Sequence, residues 1–113
     1  MIQRYDRAQM LINQGRFEMA EREIRQMLGE NPDDGYAHCL LAICASNQES
    51  RYEEATREAE LAVATEPDSP FVHFVHSRVL WRRNHYDEAF QAITEAIRLD
   101  PYDADFFAQA AQI

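Results

Sequence analysis

The chain has 113 residues, a formal net charge of −9 and a composition that is 46% hydrophobic and 27% charged. This length allows one domain, and this balance of apolar and charged residues is typical of a folded protein rather than a disordered one. The acidic surplus argues against a nucleic-acid-binding protein, because phosphate recognition needs a basic surface. The N-terminal residues lack the apolar core of a secretory signal, and no apolar run approaches the roughly 18 residues of a membrane span.

The first predicted helical hairpin covers residues 2–29. Its first helix, over residues 2–14, ends at Gly15, since glycine adopts a left-handed turn at little cost. Its second helix, over residues 17–29, carries apolar residues at three- and four-residue spacing, which predicts one buried stripe. Pro32 cannot continue that helix, and Asp34 is placed to cap the next one.

The second hairpin lacks the turn glycine and has one extra residue between about 47 and 51. Its first helix is predicted over residues 36–47. Ser50 and Glu53 have the spacing of a capping box, which predicts a defined start for the following helix. That helix is rich in small residues that let a neighbouring helix approach closely: Ala55, Ala59, Ala62 and Ala64.

The third hairpin opens with Ser69 as the expected N-cap and Pro70 at the first helical position. This helix is predicted to end near Arg83. Asn84 then stands where the first hairpin has its glycine, and asparagine is the next best residue for a left-handed turn. The second helix of this hairpin should end at Leu99, before an Asp-Pro pair.

A seventh helix is predicted over residues 104–113, with Asp103 as its cap. Phe106, Phe107 and Ile113 make this short segment strongly apolar. We interpret it as the first half of a further repeat, with a short natural cap as the alternative. An exposed apolar surface of this kind predicts weak homo-association through the C-terminal helix.

The three hairpins repeat one pattern with a period near 34 residues, which is typical of a solenoid of stacked helical pairs. An aromatic residue opens each second helix, small or apolar residues follow it, and a proline closes the unit. These markers are Phe17, Ala20, Ile24, Met27 and Pro32, then Tyr52, Ala55, Ala59, Ala62 and Pro67, then Tyr86, Ala89, Ile93, Ala96 and Pro101.

In these residues the chain resembles the tetratricopeptide repeat (TPR) family, and in particular the N-terminal repeats of a longer bacterial TPR scaffold protein. The resemblance implies an all-α fold, a right-handed α-solenoid of three TPR hairpins plus a seventh, capping or truncated, helix. The whole of 1–113 would form a single domain, with repeats at about 1–34, 35–69 and 70–103 and the last helix at 104–113.

The resemblance also implies a function, namely a scaffold or adaptor that binds a segment of another protein. In the family, the first helices of the hairpins line a concave groove that holds the partner. Carried over to this chain, the peptide-binding groove comprises Tyr5, Gln9, Asn13, Tyr36, Cys39, Leu40, Ile43, Asn47, Phe71, Phe74, Arg78 and Arg82. The same family positions also include Ile2, Asp6 and Val75. An architectural segment of a longer solenoid, which stacks or self-associates through its ends, is the alternative function.

Arg78 and Arg82 are four residues apart and so share one helix face. With the aromatic residues beside them, they predict a partner that has apolar anchors and a carboxylate. Two alternatives remain open: Phe71 and Phe74 pack between helices, and the arginines pair with acidic residues of the protein itself.

One TPR subgroup grips the C-terminal carboxylate of heat-shock chaperones with lysine, asparagine and arginine at set groove positions. The matching positions here hold Tyr5, Gln9, Leu40, Phe71 and Val75. These side chains cannot form that carboxylate clamp, so the sequence argues against this function.

Cys39 and Cys44 lie five residues apart on one predicted helix. Their side chains then point about 140° apart, because each residue turns the helix by 100°. They cannot form a disulfide bond with each other. Two thiols outside any disulfide framework predict a reducing, cytoplasmic location.

The histidines raise the question of a metal site, since His73 and His76 are three residues apart and His38 occupies the repeat position of His73. A zinc site needs a third ligand and usually a fourth, and the sequence supplies none nearby. We therefore expect packed histidines and no metal. The chain also lacks a phosphate-binding loop and a nucleophile motif, which predicts no cofactor and no enzymatic activity.

Overall fold

The structure, a computed structural model, describes residues 4–113, so the expected groove residue Ile2 lies outside the described part. Seven α-helices account for most of these residues, and none of them forms a strand. The helices are α1 (Arg4–Asn13), α2 (Phe17–Glu30), α3 (Gly35–Ser46), α4 (Tyr52–Thr65), α5 (Pro70–Arg82), α6 (Tyr86–Leu99) and α7 (Ala104–Gln112).

The helices form three hairpins, α1–α2, α3–α4 and α5–α6, and α7 packs against α6. Each hairpin also contacts the next one, through α2 with α3 and through α4 with α5. The first helices of the hairpins contact one another as well, α1 with α3 and α3 with α5. This arrangement confirms the prediction of an all-α solenoid.

The predicted turns and caps are largely confirmed. Gly15 and Asn84 have positive φ angles of 76° and 65°, as expected for left-handed turns. An Asp34 carboxylate oxygen accepts a hydrogen bond from the backbone N–H of Ala37 at 3.1 Å. Asp103 caps α7 in the same manner: its carboxylate accepts a hydrogen bond from the backbone N–H of Asp105 at 2.9 Å.

The predicted capping box at Ser50 is wrong. A 3₁₀ turn over Glu49–Arg51 takes up the extra residue, and α4 starts after it, at Tyr52. No side chain caps this helix, and Arg51 occupies its N-cap position. The Arg51 guanidinium donates hydrogen bonds to Glu21 of α2 and to Glu54 of α4. A tertiary ion-pair cluster therefore fixes this helix start, where the local sequence predicted a cap. Ser69 likewise sits at the N-cap of α5 without making a side-chain hydrogen bond.

Small residues hold the helices close together. Ala55, Ala59 and Ala62 of α4 are fully buried, as are Ala20 of α2 and Ala89 of α6. Burial of alanine at these recurring sites leaves no space for a longer side chain.

Two histidines at the same position of successive repeats are buried, as expected for packed residues. The Nε2 atoms of His38 and His73 each donate to a proline carbonyl oxygen, of Pro32 and Pro67, at 2.7 Å. These bonds tie the loop before a hairpin to the first helix of that hairpin. Within the described residues no group of three or more ligand-type side chains could hold a metal ion.

The three large apolar residues of segment 104–113 differ in how deeply they are buried. Phe106 is 4% exposed and packs against Ile93 and Ala96 of α6, and Ile113 is half-buried beside the same cluster. These two side chains pack within the chain, and homo-association through α7 stays a prediction. Phe107 is the apolar residue of the three that stays exposed.

Candidate groove on the first helices

A cavity of about 270 Å³ opens on the face formed by α1, α3 and α5. Eight of the residues expected in the groove line it: Gln9, Asn13, Ile43, Asn47, Phe71, Phe74, Arg78 and Arg82. The helix positions that the family resemblance implies thus converge on one surface depression.

The polar part of the lining is fixed by hydrogen bonds. The Gln9 side-chain amide donates to the Asn13 side chain at 3.0 Å. The Asn47 amide donates to the carbonyl oxygen of Ile43 at 2.9 Å. Amides held in this way present defined donors and acceptors at the cavity rim.

The two groove arginines are held by neutral partners. The Arg78 guanidinium lies 5.7 Å from the centre of the Phe74 ring, in a cation–π contact. Arg82 donates to the carbonyl oxygen of Ser46 at 2.9 Å. In residues 4–113, ion pairs with carboxylates involve other arginines and neither of these two. Within these residues, Arg78 and Arg82 therefore do not form the ion pairs with the protein's own acidic residues that the alternative predicted.

A row of aromatic rings runs along the same face. Ring centres are 4.9 Å apart between Tyr5 and Tyr36, 5.2 Å between Tyr36 and Phe71, and 6.4 Å between Phe71 and Phe74. Phe106 of α7 continues the row at 5.2 Å from Phe74. Aromatic pairs at these distances stabilise one another. Phe71 and Phe74 thus pack between helices and also line the cavity.

Tyr5 stands at the open end of this row, outside the cavity. Its hydroxyl donates to Asp34 at 2.5 Å, and this hydrogen bond, with burial, raises the pKa of Tyr5 to about 12. Asp34 thereby joins the start of α3 to α1, so the cap of one hairpin also orients an aromatic ring of the preceding one.

Two expected groove residues, Cys39 and Leu40, are fully buried and offer no surface to a ligand. Cys39 packs in the core between the second and third hairpins, whereas Leu40 packs in the core between the first and second. The central helix α3 has neighbours on both sides, so more of its circumference is covered than family positions alone predict. Burial also raises the pKa of the Cys39 thiol to about 12.

The groove assignment missed three residues that line the cavity: Ile12, Ser46 and Val79. Ser46 lies three residues after Ile43, and Val79 four residues after Val75. Helical spacing of three or four puts such residues on the same face, and this signal could have added them.

None of the helices within residues 4–113 has the length and apolarity needed to cross a bilayer.

Comparison with known proteins bears on the fold and the family. The family model described as tetratricopeptide repeat matches the chain at residues 5–71 and again at 48–104. No curated protein sequence matches the chain.

Three solved structures show the same fold at low sequence identity. A chain of the Naa15/Naa10 complex bound to HypK-THB is 20% identical with a TM-score of 0.88, over 96% of this chain and 16% of that one. The first TPR domain of human RPAP3 is 13% identical with a TM-score of 0.85, over 96% and 85%. The second TPR domain of human RPAP3, in complex with the HSP70 peptide SGPTIEEVD, is 15% identical with a TM-score of 0.80, over 96% and 90%. The chain thus spans a small part of the first of these proteins and most of the other two domains. Since the family model covers most of the chain and the helical hairpins recur at the expected period, this protein belongs to the tetratricopeptide repeat family.

Proposed function

We propose that this chain is a protein–protein interaction module, without enzymatic activity, that binds a partner segment in the α1–α3–α5 groove. The observation that carries the proposal is the presence of two arginines, without carboxylate partners among residues 4–113, beside a cavity that apolar side chains line in part. A chain of net charge −9 offers many carboxylates, yet Arg78 and Arg82 pair with none of those described. A partner carboxylate would supply the missing counter-charge.

The cavity volume indicates what part of a partner enters it. At about 270 Å³ it falls just below the range of roughly 300–1,000 Å³ that is common for pockets of drug-sized ligands. This volume suits one or two large apolar side chains of a longer segment, which would lie on Phe71, Phe74 and Ile43. The carboxylate would then lie within a helical turn or two of these anchors, at Arg78 or Arg82.

The complex of the human RPAP3 domain with an HSP70 peptide supports peptide binding as the general function of this fold. The partner of this chain should differ from a chaperone C-terminus. Leu40 and Val75 occupy two positions of the chaperone clamp, and both are apolar and buried. They donate no hydrogen bond to a terminal carboxylate. We also infer a cytoplasmic location, in agreement with two buried thiols that form no disulfide bond.

A random peptide library selected on the protein tests this proposal. The expected outcome is enrichment of peptides that combine a large apolar residue with Asp, Glu or a free C-terminus. A charge-assisted hydrogen bond to arginine contributes about 1.5–3 kcal/mol, so Arg78→Glu should weaken binding of these peptides by roughly tenfold to a hundredfold. Combination with Arg82→Glu should abolish binding.

The matched control is the pair Arg22→Glu and Arg57→Glu, which makes the same charge change on exposed positions of the second helices. Circular dichroism and melting points should be recorded for every variant, because Arg82 also bonds to the backbone at Ser46. If the control pair loses the peptides and the groove pair keeps them, the binding face lies on the second helices and the proposal is wrong.

A further inference from the structure

The cavity of the α1–α3–α5 groove is positively charged, whereas the chain as a whole is acidic. Among the twelve residues that line the cavity, Arg78 and Arg82 are the charged members, and none is Asp, Glu or His. This lining contrasts with a chain that has 20 acidic and 11 basic residues. Residues 1–3, Met-Ile-Gln, lie outside the described part and have no carboxylate side chain. The groove is therefore a local cationic site.

Two arginines four residues apart on one helix face repel each other unless an anion neutralises them. The chain supplies such anions at another closely spaced pair. Arg4 and Arg7 lie on α1, and each pairs with a carboxylate of α2. The groove arginines instead contact an aromatic ring and a backbone carbonyl oxygen, both of which are neutral. They therefore keep their full charge for an anion from outside the described residues.

The donors at the cavity suit an anion with several acceptor oxygens. The cation–π contact occupies none of the N–H donors of Arg78, and Arg82 uses one nitrogen for the Ser46 carbonyl oxygen. The Asn13 amide accepts from Gln9 through its oxygen, so its NH2 group keeps its donors. A phosphorylated side chain carries a charge of about −1.5 to −2 at pH 7 and three acceptor oxygens. It matches two arginines better than a single carboxylate does.

We propose that the groove binds a segment of another protein whose phosphorylated residue lies next to its apolar anchor, so that phosphorylation of the partner strengthens binding. This inference rests on the proposed function and specifies its anion. The anchor would lie on Phe71 and Phe74. The phosphate would bridge Arg78 and Arg82, which line the same cavity. Planar guanidinium groups bind phosphate oxygens in pairs, which favours this arrangement.

The surroundings of the site favour a peptide over other sources of phosphate. A net charge of −9 opposes the approach of a nucleic acid or an anionic bilayer. One phosphate on a peptide is attracted by the two arginines at short range, where screening by salt is weak. A free phosphate ion or a lipid headgroup would also leave the apolar part of the cavity unfilled.

Five peptide libraries of equal length and random flanks test the proposal. They differ in a fixed centre, which is serine, glutamate, a Glu-Glu pair, phosphoserine or phosphotyrosine. The immobilised protein should retain at least one phosphorylated library roughly tenfold more strongly than the glutamate library, because a second charge-assisted hydrogen bond forms. It should also prefer that library to the Glu-Glu library, which spreads the same charge over two side chains. The most strongly retained sequence is then synthesised with each centre and measured by fluorescence anisotropy.

The variant Arg78→Gln removes one of the two positive charges at an exposed position. The ratio of affinities for the phosphorylated and glutamate peptides should fall by roughly tenfold. Arg57→Gln is the matched control, because Arg57 is exposed on α4 and lies outside the cavity lining. It should leave the ratio unchanged. Circular dichroism should show that both variants keep their helices.

The dependence on pH gives a second readout. The second ionisation of a phosphorylated side chain has a pKa near 6, so phosphopeptide binding should weaken by roughly tenfold between pH 7.5 and pH 5. Glutamate titrates near pH 4.3, so the Glu-Glu peptide should change little over this range. No side chain of the cavity lining titrates there, since its ionisable members are the two arginines.

The possible results separate this proposal from the proposed function. If the glutamate peptide binds as well as the phosphorylated peptides, the phosphate proposal is wrong while peptide binding in the groove stands. Equal binding of the Glu-Glu peptide would assign the arginines to paired carboxylates and also overturn it. Retention of no library would contradict both proposals. Binding to vesicles that contain phosphatidic acid, without preference among the peptides, would assign the arginines to a lipid instead.

Discussion

Ala89→Leu tests the alignment of the repeats and the close contact between α5 and α6. Ala89 is fully buried beside Leu80 and Ala92, and its carbonyl oxygen accepts the hydrogen bond from Ser77. Leucine adds three carbon atoms where no space is left, and overpacking of this kind costs about 1–3 kcal/mol. Displacement of α6 would also stretch the Ser77 bond, which contributes about a further 1 kcal/mol.

Thermal unfolding followed by circular dichroism measures this loss. For a domain of this size, 1 kcal/mol corresponds to a shift in Tm of roughly 4 °C, so the expected decrease is about 4–16 °C. Ala64→Leu is the control, because Ala64 lies on the exposed side of α4 and such a surface change alters stability by about 0.5 kcal/mol or less. If the two variants melt at the same temperature, Ala89 is not a close-packing position and the repeat alignment fails.

Three further changes test the turns, caps and buried thiols. Asp34→Ala should destabilise by about 1–3 kcal/mol in urea unfolding, because the α3 cap and the hydrogen bond from Tyr5 are both lost. Gly15→Ala should destabilise by about 1–2 kcal/mol in the same assay. A Cβ atom at this position meets open space, so the cost comes from the left-handed φ of 76°, which is unfavourable for alanine. Burial raises the pKa of the Cys39 and Cys44 thiols from 9.0 to about 12, so the folded state keeps protons that the unfolded chain releases. Their contribution to stability is thus complete below pH 9 and is lost as the pH rises to about 12, by up to about 1.4 kcal/mol per pH unit for each thiol. Replacement of both cysteines by alanine should flatten this part of the stability profile, and an unchanged profile would contradict it.

Features that depend on a few neighbouring residues could be read from the sequence. The helix bounds followed from apolar spacing and from the closing prolines. The left-handed conformations at Gly15 and Asn84 followed from backbone sterics. The caps at Asp34 and Asp103 needed a short acidic side chain just before a helix, and nothing more distant.

Features that depend on contacts between hairpins could not be read in this way. Ser50 had the local signature of a cap, yet contacts of Arg51 with Glu21 and Glu54 set the start of α4. Cys39 occupied a groove position by family numbering, yet helices on both sides of α3 bury it.

The sequence by itself therefore determined the seven helices, because helical periodicity and turn chemistry act over a few residues, and its repeat markers carried the resemblance that identified the family. Only the tertiary structure decided which side chains on that face are accessible, that Arg78 and Arg82 lack carboxylate partners among the described residues, and that Phe106 is buried while Phe107 is exposed. Burial and ion pairing depend on residues about 30 positions away in the chain, as between Glu21 and Arg51. A local sequence pattern does not indicate which distant residues will lie next to a given side chain.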